Sequence, residues 1–87
     1  MRFIAQHKDK QLGEDGWLTW QAADQEREWR ILFDRFHPKT GYVLSWRRHG
    51  QTNWHDIGSH EESKYAQLAA TAAQKEFAQR NKRRVSA

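Results

Sequence analysis

EWRILFDRF, residues 28–36, is the stretch on which the fold turns. Trp29, Ile31 and Phe33 alternate as in a strand with one buried face. Trp29, Leu32, Phe33 and Phe36 also fit the i, i+3, i+4, i+7 spacing of a helix, so a helix over residues 22–36 competes. The strand reading is preferred because the run is short and aromatic. HPKTG (37–41) then reads as a turn into a further β-rich run. In that turn Pro38 blocks strand pairing and Gly41 can supply a positive φ.

Working outward, YVLSWRR (42–48) is the next strand. Tyr42, Leu44, Trp46 and Arg48 would share one face, and Val43, Ser45 and Arg47 the other. HGQTN is turn-rich, and NWHDI (53–57) is a short last strand that Gly58 ends. Upstream, GWLTWQA (16–22) alternates, with Trp17, Thr19 and Gln21 opposed to Leu18, Trp20 and Ala22. AADQERE turns the chain. RFIAQH (2–7) can form a short edge strand, and residues 8–16 read as loop.

A C-terminal helix is expected over about residues 60–81. Ser59 and Glu62 match the S-x-x-E capping box. Glu61 and Glu62 suit the positive end of the helix dipole, and Lys75, Arg80 and Lys82 the negative end. Tyr65, Leu68, Ala69, Ala72 and Ala73 make an apolar stripe with Phe77 at its margin. The expected fold is therefore α+β: a small antiparallel sheet of three to four strands packed against one C-terminal helix. Residues 1–81 form a single domain and 82–87 a flexible basic tail. One helix can cover one sheet face, so the other is left open for function.

The bulk numbers agree. A chain of 87 residues makes one domain with a small core, which five tryptophans, four phenylalanines and two tyrosines can make dense. There is no cysteine, which excludes disulfides and thiolate metal sites. No apolar run approaches a membrane span, and MRFIAQHKDK has no stretch of signal-peptide length. A soluble, cytoplasmic protein without membrane contact is expected. Of the net charge of +4, residues 1–74 contribute nothing, with ten Lys/Arg against ten Asp/Glu. The excess lies in Lys75, Arg80, Lys82, Arg83 and Arg84 against Glu76. Residues 14–28 are acidic and 29–55 basic.

His49, His55 and His60 match no metal-ligand spacing, so no metal is expected. No glycine-rich phosphate loop or nucleophile elbow is present. The chain is read as neither an enzyme nor a cofactor binder. Arginines interleaved with aromatics suit nucleic acid: the guanidinium pairs with phosphate or guanine edges, and a ring stacks on bases or sugars. Arg30, Arg47 and Arg48 are the candidates for phosphate or base edges, with Arg35 of the same type. Trp46 and Trp54 are the candidates for stacking, and Arg83 and Arg84 for screening.

The strand-strand-strand-helix order resembles the sheet-plus-helix DNA-binding domains of plant ethylene-response factors and the arm-binding domain of some tyrosine integrases. Trp29, Arg30, Arg35, Trp46, Arg47, Arg48 and Trp54 are of the matching type, and IGSHEESKYAQLAA resembles the glycine-to-helix junction. The likeness covers roughly residues 28–78, in layout and residue type. It implies major-groove reading by sheet Arg and Trp side chains. The last two strands with SKYAQLAATAA also resemble the end of a double-stranded RNA-binding domain. At the place of that family's basic cluster stand Glu61, Glu62 and only Lys64.

The sequence thus favours a small nucleic-acid-binding protein, with duplex DNA as the preferred ligand, acting as monomer or homodimer. The alternative is a protein-interaction module or inhibitor, of the kind phages and mobile elements encode as accessory proteins. The neutral body, the zoned charge and the exposed Trp and Arg anchors favour that alternative. The acidic segment at 14–28 could also mimic nucleic acid toward a basic partner.

Overall fold

A computed structural model describes residues 1–11, 16–34 and 41–86, and the side chains of 1–6, 16–34 and 41–80. Five strands, β1 (Ile4–Gln11), β2 (Gly16–Ala23), β3 (Arg27–Asp34), β4 (Tyr42–Arg48) and β5 (His55–His60), precede one helix, α1 (Ser63–Ser86). The strands form one antiparallel meander in the order β1-β2-β3-β4-β5. The α+β class and the single helix are as expected, but the sheet has five strands rather than three to four. EWRILFD, residues 28–34, is strand, and no helix runs through 22–34. β1 runs on to Gln11, through residues read as loop. The HPKTG turn falls largely on residues 35–40, outside the described residues.

Cross-strand partners share a face, so the register sorts the side chains. One face carries the rows Trp20–Ile31–Leu44–Gly58 and Ala22–Trp29–Trp46–His55. On this face α1 lies across β3, β4 and β5. The buried core joins Ala22, Trp29, Ile31 and Leu44 to Ala66 and Ala70, with Trp46, Ala73 and Phe77 packed around it. Ala66 and Ala70 are fully buried while Tyr65 and Leu68 are 48% and 66% exposed, so the stripe is turned from the one expected. The reason is size. Trp29, Ile31 and Leu44 rise from the sheet, and only alanines let the helix backbone approach them.

Register shifts in the β2–β3 and β4–β5 pairs, beside one in β1–β2, correct the simple alternation. An extra residue between Leu18 and Trp20 puts Trp17 opposite Phe33 and Trp20 opposite Ile31, so both tryptophans share the helix side. Thr19 at this bulge donates its hydroxyl to the Ile31 carbonyl at 2.9 Å. A second bulge between Leu44 and Ser45 of β4 leaves Ile57 of β5 without a partner. β5 does not stop at Gly58 but runs to His60, with Ser59 opposite Val43. Ser59 is therefore a strand residue, four positions before the start of the helix. The Glu62 carbonyl accepts from the Ala66 amide, and α1 starts at Ser63. At its other end α1 continues through residues 82–86.

Glycine is required at two positions. Gly50, at φ 84°, turns β4 toward β5 with the Gln51 amide bonded to the Arg48 carbonyl. Gly41 does not take a positive φ as expected. It lies against the Phe33 ring, where a Cβ would come within 2.5 Å of Phe33 Cε2.

Asp24 ties the β2–β3 turn to the helix. One carboxylate oxygen accepts the Glu26 and Arg27 amides at 2.8 and 2.7 Å, an Asx turn. The other accepts the Trp29 indole N–H at 3.0 Å and the Gln74 amide of α1 at 3.1 Å. Burial alone would push this carboxyl up. The hydrogen bonds to its ionised form outweigh burial and hold its pKa below the ordinary value. A folded-state pKa that is depressed contributes stability above the unfolded value of about 3.9 and loses it as pH falls through the folded value. Asp24→Asn puts an amide donor opposite two donors. It should cost about 2 kcal/mol and lower the melting temperature by about 10 °C at neutral pH. The gap from wild type should shrink below about pH 4 in thermal melts.

Candidate nucleic-acid interface

No described helix covers the other sheet face. Its rows are Leu18–Leu32–Val43–Ser59, Gln21–Arg30–Ser45–Asp56 and Ala23–Glu28–Arg47. The first is apolar apart from its last member. The other two gather a charged cluster around Trp54, which immediately precedes β5. The Arg30 Cζ lies 4.2 Å and the Arg47 Cζ 4.4 Å from the Trp54 ring centroid. A guanidinium over an indole is held by the ring quadrupole, at about 0.5–1 kcal/mol where exposed.

Glu28 stands directly opposite Arg47, and Asp56 shares a row with Arg30. Arg47 donates from Nε to Glu28 Oε2 at 2.5 Å. The other Glu28 oxygen lies 3.8 Å from His49 Nδ1. Ser45 is fully buried and donates its hydroxyl to Asp56. Its burial on an uncovered face follows from its row, since Arg30 and Asp56 flank it directly. Burial pushes the Arg30 pKa down. The Asp56 charge opposes this, and Arg47 adds to it. Arg30 remains a cation, as arginines do. Its Nε is buried with no hydrogen-bond partner among the described residues.

The residues singled out from the sequence therefore divide. Arg30, Arg47 and Trp54 come together on the open face. Trp46 does not: it packs on Phe77 at 5.3 Å and on His55 at 4.7 Å, on the helix side. His55 is turned to the same side by the Ile57 bulge. Arg48 stands opposite Arg27, also on the helix side, and is exposed. Arg35 lies outside the described residues, as do the side chains of Arg83 and Arg84, whose backbone belongs to the last turns of α1.

Sequence reasoning missed Glu28 and Asp56 as members of the cluster. Their signal was parity, since Glu28 and Arg30 alternate on one strand, but the register that sets Glu28 against Arg47 is a tertiary result. It also missed Arg27, which is 6% exposed and stacks over Phe77 at 4.1 Å and Trp46 at 5.0 Å, closing one end of the core. Among the described residues no three His, Cys, Asp or Glu side chains converge as metal ligands, and no helix is long and apolar enough to cross a membrane.

Comparison with known proteins adds no relative: no family model, curated protein or solved structure matches the chain. The geometry does separate the two tryptophans. Trp46→Ala should empty a core site and cost about 3–5 kcal/mol. Trp54→Ala removes two arginine–ring contacts at the surface and should cost about 1–2 kcal/mol. Urea unfolding of the two variants measures the difference.

Proposed function

We propose that the chain is a non-catalytic nucleic-acid-binding module that takes duplex DNA on its uncovered sheet face. One observation carries the reading: two arginines lie over one indole on a face that no described helix covers. A guanidinium has five N–H donors in a rigid fork. Arg47 uses its Nε on Glu28 and keeps the terminal nitrogens for an acceptor fork such as phosphate or the guanine O6/N7 edge. Arg30 has a buried Nε in need of an acceptor.

Trp54 serves here as the platform that orients the arginines, not as a stacking surface for bases. Among the described residues it is the one aromatic ring on this face, and single-strand binding draws on a series of rings. That favours a duplex. The cations of residues 80–84, at the end of α1, add salt-dependent attraction to phosphate.

A second reading, binding to a larger protein, is favoured by the charge balance. Glu28 and Asp56 offset Arg47 and Arg30, and Trp with Arg is the usual composition of an interface anchor. The groove between α1 and β5, of about 420 Å³ and lined by Ile57, Ala69, Ala73 and Phe77 among others, adds apolar contact.

Fluorescence anisotropy with labelled duplex DNA, single-stranded DNA and duplex RNA tests the proposal. Arg30→Ala/Arg47→Ala should weaken duplex DNA binding about tenfold or more and lower the salt slope by about 2. Arg48→Ala should change affinity less than about twofold, and a chain ending at Gln79 should keep the preference for duplex DNA. Absence of duplex binding at low salt would sink the reading in favour of a protein partner.

A further inference from the structure

Two carboxylates sit inside the arginine cluster, where a surface made only for phosphate would have none. Glu28 is the cross-strand partner of Arg47 and bonds its Nε, and the side chains of Arg47 and Glu28 are only 29% and 27% exposed. Asp56 shares a row with Arg30 through Ser45, accepts the Ser45 hydroxyl, and its charge favours the Arg30 cation. The four charges sum to zero. A fully exposed ion pair exchanges readily with solvent ions. A half-buried pair on a sheet surface is screened less, so an incoming phosphate meets repulsion from the carboxylates as well as attraction to the arginines.

We infer that Glu28 and Asp56 are selectivity residues. Glu28 holds Arg47 in place, and together the two carboxylates suppress binding to phosphate as such. The face then engages a duplex whose acceptors meet the arginines' remaining N–H groups. The inference rests on the nucleic-acid reading of this face, and its test separates the two.

Both groups can be neutralised without losing an acceptor, by Glu28→Gln and Asp56→Asn. The control is Glu61→Gln/Glu62→Gln, which changes the charge by the same amount beside the N-terminus of α1, at the opposite end of the sheet from Trp54. The probe is a labelled duplex DNA of mixed sequence, titrated at about 50 mM and about 200 mM salt. Thermal melts confirm that each variant is folded.

The Glu28→Gln/Asp56→Asn protein should bind this duplex more tightly than wild type, with a salt slope steeper by about 2. Its gain at the lower salt should then exceed its gain at the higher salt about tenfold. The control should show less than half of that change. Equal gains in the control, or no gain in the double variant, would overturn the inference. Wild type that binds duplex alongside an unchanged double variant would keep the nucleic-acid reading and remove the selectivity role. Wild type that binds no duplex at the lower salt would remove the nucleic-acid reading and, with it, the inference that rests on it.

Discussion

The structure depends on one packing constraint: a single helix must cover a five-stranded sheet. A helix with its side chains is about 10–12 Å across and neighbouring strands are about 4.8 Å apart, so one helix covers two or three strands. α1 lies across β3, β4 and β5. It gets close because its inward residues are Ala66, Ala70 and Ala73, while the sheet supplies Trp29, Ile31 and Leu44. Bulk on the sheet and smallness on the helix are two halves of one arrangement. The Asp24 carboxylate then fixes the helix lengthwise, by joining Gln74 to the turn that starts β3 and to the indole of the most buried tryptophan.

What the helix leaves bare must cover itself. Over Ser45 the arginine stems and the Trp54 ring serve as a thin second layer, and charged heads balance one another across strands. That layer is polar, planar and set by the sheet register, which suits recognition of an extended surface. Each guanidinium is oriented by an aromatic ring, and Arg47 by a carboxylate as well. Such pre-orientation lowers the entropy lost when a ligand is bound.

Much of this was legible in the residues. EWRILFDRF read as strand because aromatic alternation and the turn after it agreed, and the faces of YVLSWRR followed from period 2 alone. The bulges at Thr19 and Ile57 were not legible. The first is stabilised by what lies across the sheet, as the Thr19 bond to the Ile31 carbonyl shows. The Ser59/Glu62 signal placed the helix start too early, because Ser59 pairs with β4 and α1 begins at Ser63. The helix stripe misled because Tyr65 and Leu68 are the more apolar choice, yet closeness of approach selected alanine. Trp46 and Trp54 looked alike in sequence. Their opposite roles come from Trp46 lying opposite His55 beneath α1, and Trp54 lying outside the strand altogether.

The most direct test of the account is a nitrogen–proton correlation spectrum recorded while duplex DNA is added, read at the five tryptophan indole signals. The account predicts that the Trp54 indole, with the Arg30 and Arg47 side-chain Nε signals, shifts first and furthest, while Trp29 and Trp46 stay in place beneath α1. Shifts confined to Trp17 and Trp20 or to the helix, with Trp54 unmoved, would contradict it.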